Sequence, residues 1–136
     1  MPSKPCIVNT DDIAEEAWDD PARGRVTWRT LLSGDRTRSE ALTIGVTEVT
    51  EQAGAEAKPH RHAQHEAYYV LSGRGVLTVS DEAHDLSPGV TAFIPGGAWH
   101  AARGLGAEPL RLLYVFAADS FSDVIYEFPE PAVAPQ

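Results

Sequence analysis

The chain has 136 residues and a formal net charge of −9, with 43% hydrophobic and 23% charged residues. That composition fits one globular domain with one hydrophobic core. The acidic balance excludes nucleic acid and anionic membrane surfaces as partners, because both demand a basic face, and no apolar run is long enough to span a membrane. Cys6 is the single cysteine, so an intramolecular disulfide is excluded. The N-terminus shows no signal-peptide pattern, and a cytoplasmic location is expected.

Residues 1–24 read as a peripheral, acidic segment, TDDIAEEAWDDPARG at its centre, with a short helical turn capped by Thr10 and with Trp18 pinning it to the core. The texture changes at Arg25. RVTWRTLL predicts a strand with Val26, Trp28 and Thr30 on one face. ALTIGVTEVTE alternates again, and KPHRHAQHEAYYVLSG reads as a further strand. SGRG is a turn, VLTVS a strand, DEAHDLSPG a polar turn and VTAFIP a short strand. GGAW leads into HAARG, PLRLLYVFA is a strongly apolar strand, and FSDVIYEF is one more strand or an edge arm. PEPAVAPQ is a loose, proline-rich tail. Short strands punctuated by Gly and Pro, with almost no helix, predict an all-β sandwich or barrel. The expected organisation is a peripheral segment over 1–24, a β-barrel over 25–128 and the tail over 129–136. Exposed sheet edges call for protection, so a homodimer is expected, paired through Val26–Leu31 or Val124–Phe128.

The stretch from Lys58 to Gly73 holds three of the five histidines. On a strand, His60, His62, Gln64, Glu66 and Tyr68 share one side, and Arg61, Ala63, His65, Ala67 and Tyr69 the other. Neutral imidazoles and a carboxylate facing one way suit a borderline divalent transition metal. A bulge between His62 and Glu66 would bring His65 in instead of Glu66. A further ligand is wanted. His84 lies in an acidic turn and His100 at the start of a strand, which makes His100 the better candidate.

The residues Gly54, His60, His62, Glu66 and Gly73 form the pattern G-x5-H-x-H-x3-E-x6-G, and Gly89, Pro95, Gly97 and His100 form G-x5-P-x-G-x2-H. These blocks resemble the two motifs of the cupin superfamily, over about residues 40–117. The second motif usually ends in an asparagine, and Gly104 stands there in this chain. The resemblance implies a small antiparallel jelly-roll β-barrel, also described as a double-stranded β-helix. It implies His60, His62, Glu66 and His100 as ligands of one divalent transition metal, with Fe, Mn, Ni, Co, Cu and Zn all chemically admissible. Gly73, Gly75, Gly89 and Gly97 are expected at turns or close backbone approaches, with Pro95 stiffening the entry to the His100 strand.

Three imidazoles and one carboxylate leave coordination positions open, as a catalytic ion requires. The expected function is a metalloenzyme, an oxygenase or a lyase or isomerase, acting on a small oxyanionic metabolite chelated at the site. The alternative is a small-ligand binding or sensor module without turnover. Tyr68 is the candidate acid/base, and Gln64 a candidate to orient a ligand. Phe93, Trp99, Tyr114 and Phe116 are expected to line the pocket. Arg61, Arg74, Arg103 and Arg111 are candidate anion clamps. His65 and His84 are expected at the surface, and Trp18 and Trp28 in packing. The segment LLYVFAADSFSDVIYEF resembles the tails of stand-alone bacterial cupins, some of them near the dimethylsulfoniopropionate lyases.

Overall fold

A computed structural model describes residues 4–50 and 58–129. Gly54 and nearly all of the expected loose tail lie outside the described residues. The strands are β1 (Glu16–Asp20), β2 (Gly24–Leu32), β3 (Thr43–Val49), β4 (Glu66–Ser72), β5 (Arg74–Val79), β6 (Glu82–Leu86), β7 (Thr91–Ile94), β8 (His100–Leu105) and β9 (Leu110–Phe116). They form two antiparallel sheets, one in the order β1-β2-β3-β9-β4-β7 and one in the order β6-β5-β8. This is the expected all-β jelly-roll architecture.

Period-2 alternation sets which side chains meet in the core. In β9, Leu110, Leu112, Tyr114 and Phe116 are buried, and the residues between them are half-buried. In β4, Glu66, Tyr68 and Val70 are buried on the same inner side. Tyr68 stands directly opposite Tyr114 across the β4–β9 ladder. From the second sheet come Leu77, His100 and Ala102. The core is therefore apolar at one end and carries imidazole, carboxylate and phenol at the other.

Several expectations are corrected. The acidic N-terminal segment contains a strand: β1 pairs with β2 over five residue pairs. Its strand has one large apolar residue, Trp18, which gives the sequence no alternation to read. The short turn is 3-10, over Thr10–Asp12, and Asn9 rather than Thr10 caps it by accepting from the Asp11 N–H. DEAHDLSPG is not all turn. Glu82–Leu86 form β6, an edge strand exposed on both faces except at Leu86, so no apolar periodicity marks it. β2 lies between β1 and β3, and Glu127 pairs with Arg61 of the same chain. Val26–Leu31 is thus an inner strand of its sheet, and Val124–Phe128 makes one bridge, at Glu127. The late FSDVIYEF stretch is an arm: a 3-10 turn over Phe121–Asp123, then extended chain held by one bridge.

The expected glycine roles hold. Gly73, Gly89 and Gly97 adopt positive φ, and a Cβ on Gly75 would meet the Arg103 carbonyl oxygen at 2.3 Å. Gly104 explains the departure from the family motif. A Cβ there would stand 2.4 Å from the Val49 carbonyl oxygen and 3.2 Å from its carbon. β8 is pressed against the end of β3 at this point, and a side chain cannot enter without moving backbone. Gly104→Asn is expected to destabilise the fold by about 1–3 kcal/mol, as overpacking does. A denaturant melt with unchanged midpoint would contradict this.

Candidate metal centre

The histidine-rich stretch is two segments on different sheets, not one strand. His60 bridges β8: its N–H donates to the His100 carbonyl at 3.0 Å, and the His100 N–H donates back at 2.9 Å. The chain then bends at Ala63–Gln64, where the His62 carbonyl accepts from the Gly97 N–H at 2.8 Å. β4 starts at Glu66 in the other sheet. The crossover brings His60, His62, Glu66 and His100 together, with side chains from both sheets facing one point.

The ring nitrogens of His60, His62 and His100 that face one another lie within 4.8 Å. Glu66 Oε1 is 3.2 Å from Nε2 of both His62 and His100. All four residues are buried, at most 9% exposed. The outer nitrogen of each ring meets a carbonyl two residues away. His60 Nδ1 is 2.9 Å from Lys58 O, His62 Nδ1 is 3.0 Å from Gln64 O, and His100 Nδ1 is 2.9 Å from Ala98 O. A carbonyl only accepts, so each Nδ1 carries a proton, and a ring without a second proton turns its Nε2 lone pair inward. Lone pairs then face a carboxylate, an arrangement that calls for a cation between them. His100 Nε2 lies off hydrogen-bond geometry and has no partner.

The spacing supports that reading. Donors about 2.1 Å from one ion stand about 3.0 Å apart at right angles and about 3.4 Å apart at tetrahedral angles. The observed 3.2 Å falls between these values. The donor set fits a divalent transition metal.

Electrostatics agrees. Burial, with the neighbouring His100 ring adding to it, pushes the His60 pKa down from 6.5 to about 4. The ring is neutral at pH 7, as a ligand must be. Burial works to raise the Glu66 pKa, but hydrogen bonds donated from His100 and His62 outweigh it and hold the carboxyl below its usual value, a role that a cation between them would take over. Burial, then the Glu66 charge, raises Tyr68 well above an ordinary tyrosine. A pH prediction follows for the metal-free chain. The folded His60 pKa lies below the unfolded one, so the unfolded chain binds its proton first as pH falls. Stability is then whole above about pH 6.5 and is lost down to about pH 4, by roughly 3 kcal/mol. Urea melts across this window check it, and a flat profile would contradict it.

A pocket adjoins the four donors. His60, Glu66, Tyr68, Tyr114 and Phe116 line it, joined by Trp18, Trp28, Phe121 and Tyr126. Two expected pocket residues are elsewhere. Phe93 is 67% exposed on β7, and Trp99 lies under the Arg61 guanidinium, 4.5 Å from its ring centre. Alternation read without the sheet's true face sent Phe93 inward. None of the four candidate arginines lines the pocket. Arg61 pairs with Glu127 and Arg111 with Glu48, while Arg74 and Arg103 are exposed. Gln64 supports His62 through its backbone carbonyl, and its side-chain amide donates to Asp123 O instead. His65 is exposed and accepts from the Gly96 N–H, and His84 is exposed beside Glu82.

Sequence reasoning missed the pocket's roof. Trp18 of β1 meets Tyr126 at 4.8 Å and Phe128 at 5.6 Å between ring centres. Tyr126 lies 5.3 Å from the His60 ring and 5.4 Å from the His62 ring. The signal available was the i, i+2 spacing of Tyr126 and Phe128, which puts both rings on one side of an extended chain.

Comparison with known proteins agrees with the fold. The dimethylsulfoniopropionate lyase DddW of Ruegeria pomeroyi is 34% identical over 128 residues, covering 94% of this chain and 82% of that protein. The oxalate decarboxylase OxdC of Bacillus subtilis is 32% identical over 88 residues, covering 60% of this chain but 23% of that protein. The structure of the polyketide cyclase RemF of Streptomyces resistomycificus superposes with a TM-score of 0.75 at 22% identity, covering 93% of this chain and 86% of that one, a likeness of fold. Residues 47–116 match the cupin domain family. With both motifs, the jelly roll and the inward-facing imidazoles in place, the chain is a member of the cupin family.

Proposed function

We propose that the protein is a metal-dependent cupin lyase acting on a small carboxylate, with dimethylsulfoniopropionate as the substrate to test first. The carrying observation is the pocket wall: His60 and Glu66 of the donor cluster line it beside aromatic rings, with the ring nitrogens of His62 and His100 within 4.8 Å of that of His60. Among the described residues, that wall has no lysine or arginine. A carboxylate therefore finds its counter-charge at the metal position, and a sulfonium end finds aromatic faces, which attract cations. The near full-length likeness to a lyase supports the same reading.

His60, His62, Glu66 and His100 are proposed to hold the ion. When bound, a divalent cation supplies Lewis acidity that draws charge from the carboxylate, acidifies the neighbouring C–H and offsets the Glu66 charge felt by Tyr68. Tyr68, after its phenol gives up its proton to solvent in the metal-loaded site, is proposed as the base that removes the proton α to the carboxylate. The C–H electron pair forms the new C=C bond, and the C–S pair leaves on sulfur, giving neutral dimethyl sulfide and acrylate. Trp18, Trp28 and Phe121 exclude water and hold the sulfonium end.

The test is to load the purified protein with Fe, Mn, Co, Ni or Zn in turn and measure dimethyl sulfide and acrylate from this substrate. Oxygen uptake is followed in parallel on a panel of small acids. Equal, metal-dependent formation of both products supports the lyase. Oxygen consumption without elimination would move the site to the oxygenases. Stoichiometric ligand binding with no turnover of any compound would sink the enzyme reading in favour of a sensor or binding module.

A further inference from the structure

Each donor at the metal position is nearly sealed. Exposure is 9% at His60 and 2–4% at His62, Glu66 and His100. The pocket that adjoins them is small, about 70 Å³, so a substrate enters more readily if part of its wall moves. The strands cannot supply that motion, because β2, β3, β9 and β4 are laddered on both sides. β1 is also fixed. Besides its ladder to β2, Glu16 accepts from the Thr30 hydroxyl at 2.7 Å and from Arg36 at 2.8 and 3.1 Å.

The C-terminal arm differs. Its base is pinned. Gly34 N–H donates to Asp119 O at 2.7 Å, Phe121 N–H donates to Ser33 Oγ at 2.8 Å, and Val124 is buried in the core. Beyond Val124, backbone contacts among the described residues are few, and the arm is otherwise held by ring packing, Tyr126 and Phe128 lying 4.8 and 5.6 Å from Trp18. Arg61 and Glu127 exchange two backbone hydrogen bonds, at 3.0 and 2.9 Å. Their side chains pair at 2.9 Å, 41% and 60% exposed. Ile125 is 71% exposed and buries little. What the tip covers is the site itself, through Tyr126 and Phe128 over His60.

We infer that the tip of this arm, Ile125–Phe128, is the gate to the metal centre, hinged after Val124 and latched by Glu127 on Arg61. This rests on reading His60, His62, Glu66 and His100 as the functional site. The gate lies outside residues 47–116, the stretch that matches the family, and it selects what enters by which ligands can displace or share space with Tyr126. A short extended segment held by one bridge opens at far lower free energy than a central ladder.

Hydrogen exchange on the metal-free protein tests the motion without any assumption about metal. The mutually bonded amides of Arg61 and Glu127 are expected to exchange at least about 100-fold faster than the ladder amides of β4 and β9. Equal rates would mean that the arm opens only on global unfolding, and the gate would be discarded. The second measurement is removal of Zn(II) from the loaded protein by a coloured chelator, in wild type and Glu127→Gln. The exposed latch is worth a two- to five-fold change, so extraction is expected to speed up by about three-fold, with the thermal midpoint within about 2 °C of wild type. An unchanged extraction rate would overturn the latch. If the protein takes up no zinc, the metal reading fails, while the exchange rates still decide the gate.

Discussion

His62→Ala is expected to yield protein without its equivalent of divalent metal and with activity reduced by more than about 100-fold, the upper range for losing merely a ligand's supporting partner. The reason is geometric. Nε2 of His62 is one of two nitrogens 3.2 Å from Glu66 Oε1, and its loss leaves three donors where four converge. The ring also packs 5.0 Å from Phe116 and 5.4 Å from Tyr126, centre to centre. Its removal opens a buried cavity and is expected to cost about 2–4 kcal/mol. Elemental analysis beside the wild type gives the decisive reading, with His84→Ala as control, since that ring is exposed beside Glu82. Metal retained at one equivalent in His62→Ala would remove the four-donor site from consideration.

Tyr68→Phe is expected to keep the metal and lose the reaction. The substitution leaves the ring in the core and deletes one buried hydroxyl, so the melt should shift by only about 1 kcal/mol. Loss of a positioned acid/base group lowers kcat by about 10²–10⁴-fold. Substrate binding rests on the metal position and the aromatic walls, so KM is expected to move far less. Its pKa, raised by burial and by Glu66, also means that the metal-free protein holds Tyr68 protonated through neutral pH. A variant with unchanged kcat would transfer the role to another pocket phenol, with Tyr126 next in line by its place over His60.

The motif residues were legible because their chemistry and spacing are fixed together: two imidazoles at i, i+2 and a carboxylate four further on name a function before any fold is known. The reason they converge was not legible. Alternation along one strand placed His60, His62 and Glu66 on one side, and they do share one, but through a crossover between two sheets at Ala63–Gln64. β6 escaped notice because EAHDL is exposed on both faces, so its strand character comes from pairing with β5 alone. β1 escaped for a related reason, one tryptophan in an acidic run. The pocket's roof was hidden because it joins residues more than 100 positions apart, Trp18 and Tyr126. Composition records the aromatics but cannot pair them.

The three Nδ1 contacts carry one more consequence, for how this site tolerates change. Each imidazole is oriented by a carbonyl from a residue two positions away: Lys58, Gln64 and Ala98. A main-chain oxygen is present whatever side chain its residue bears. Mutation at those three positions can drift through charge, amide and methyl without unsettling the tautomers, provided that the backbone keeps its path. The arrangement of the rings is thus inherited with the local chain trace, and the burden of invariance falls on the four donors and the glycines that bend the chain around them.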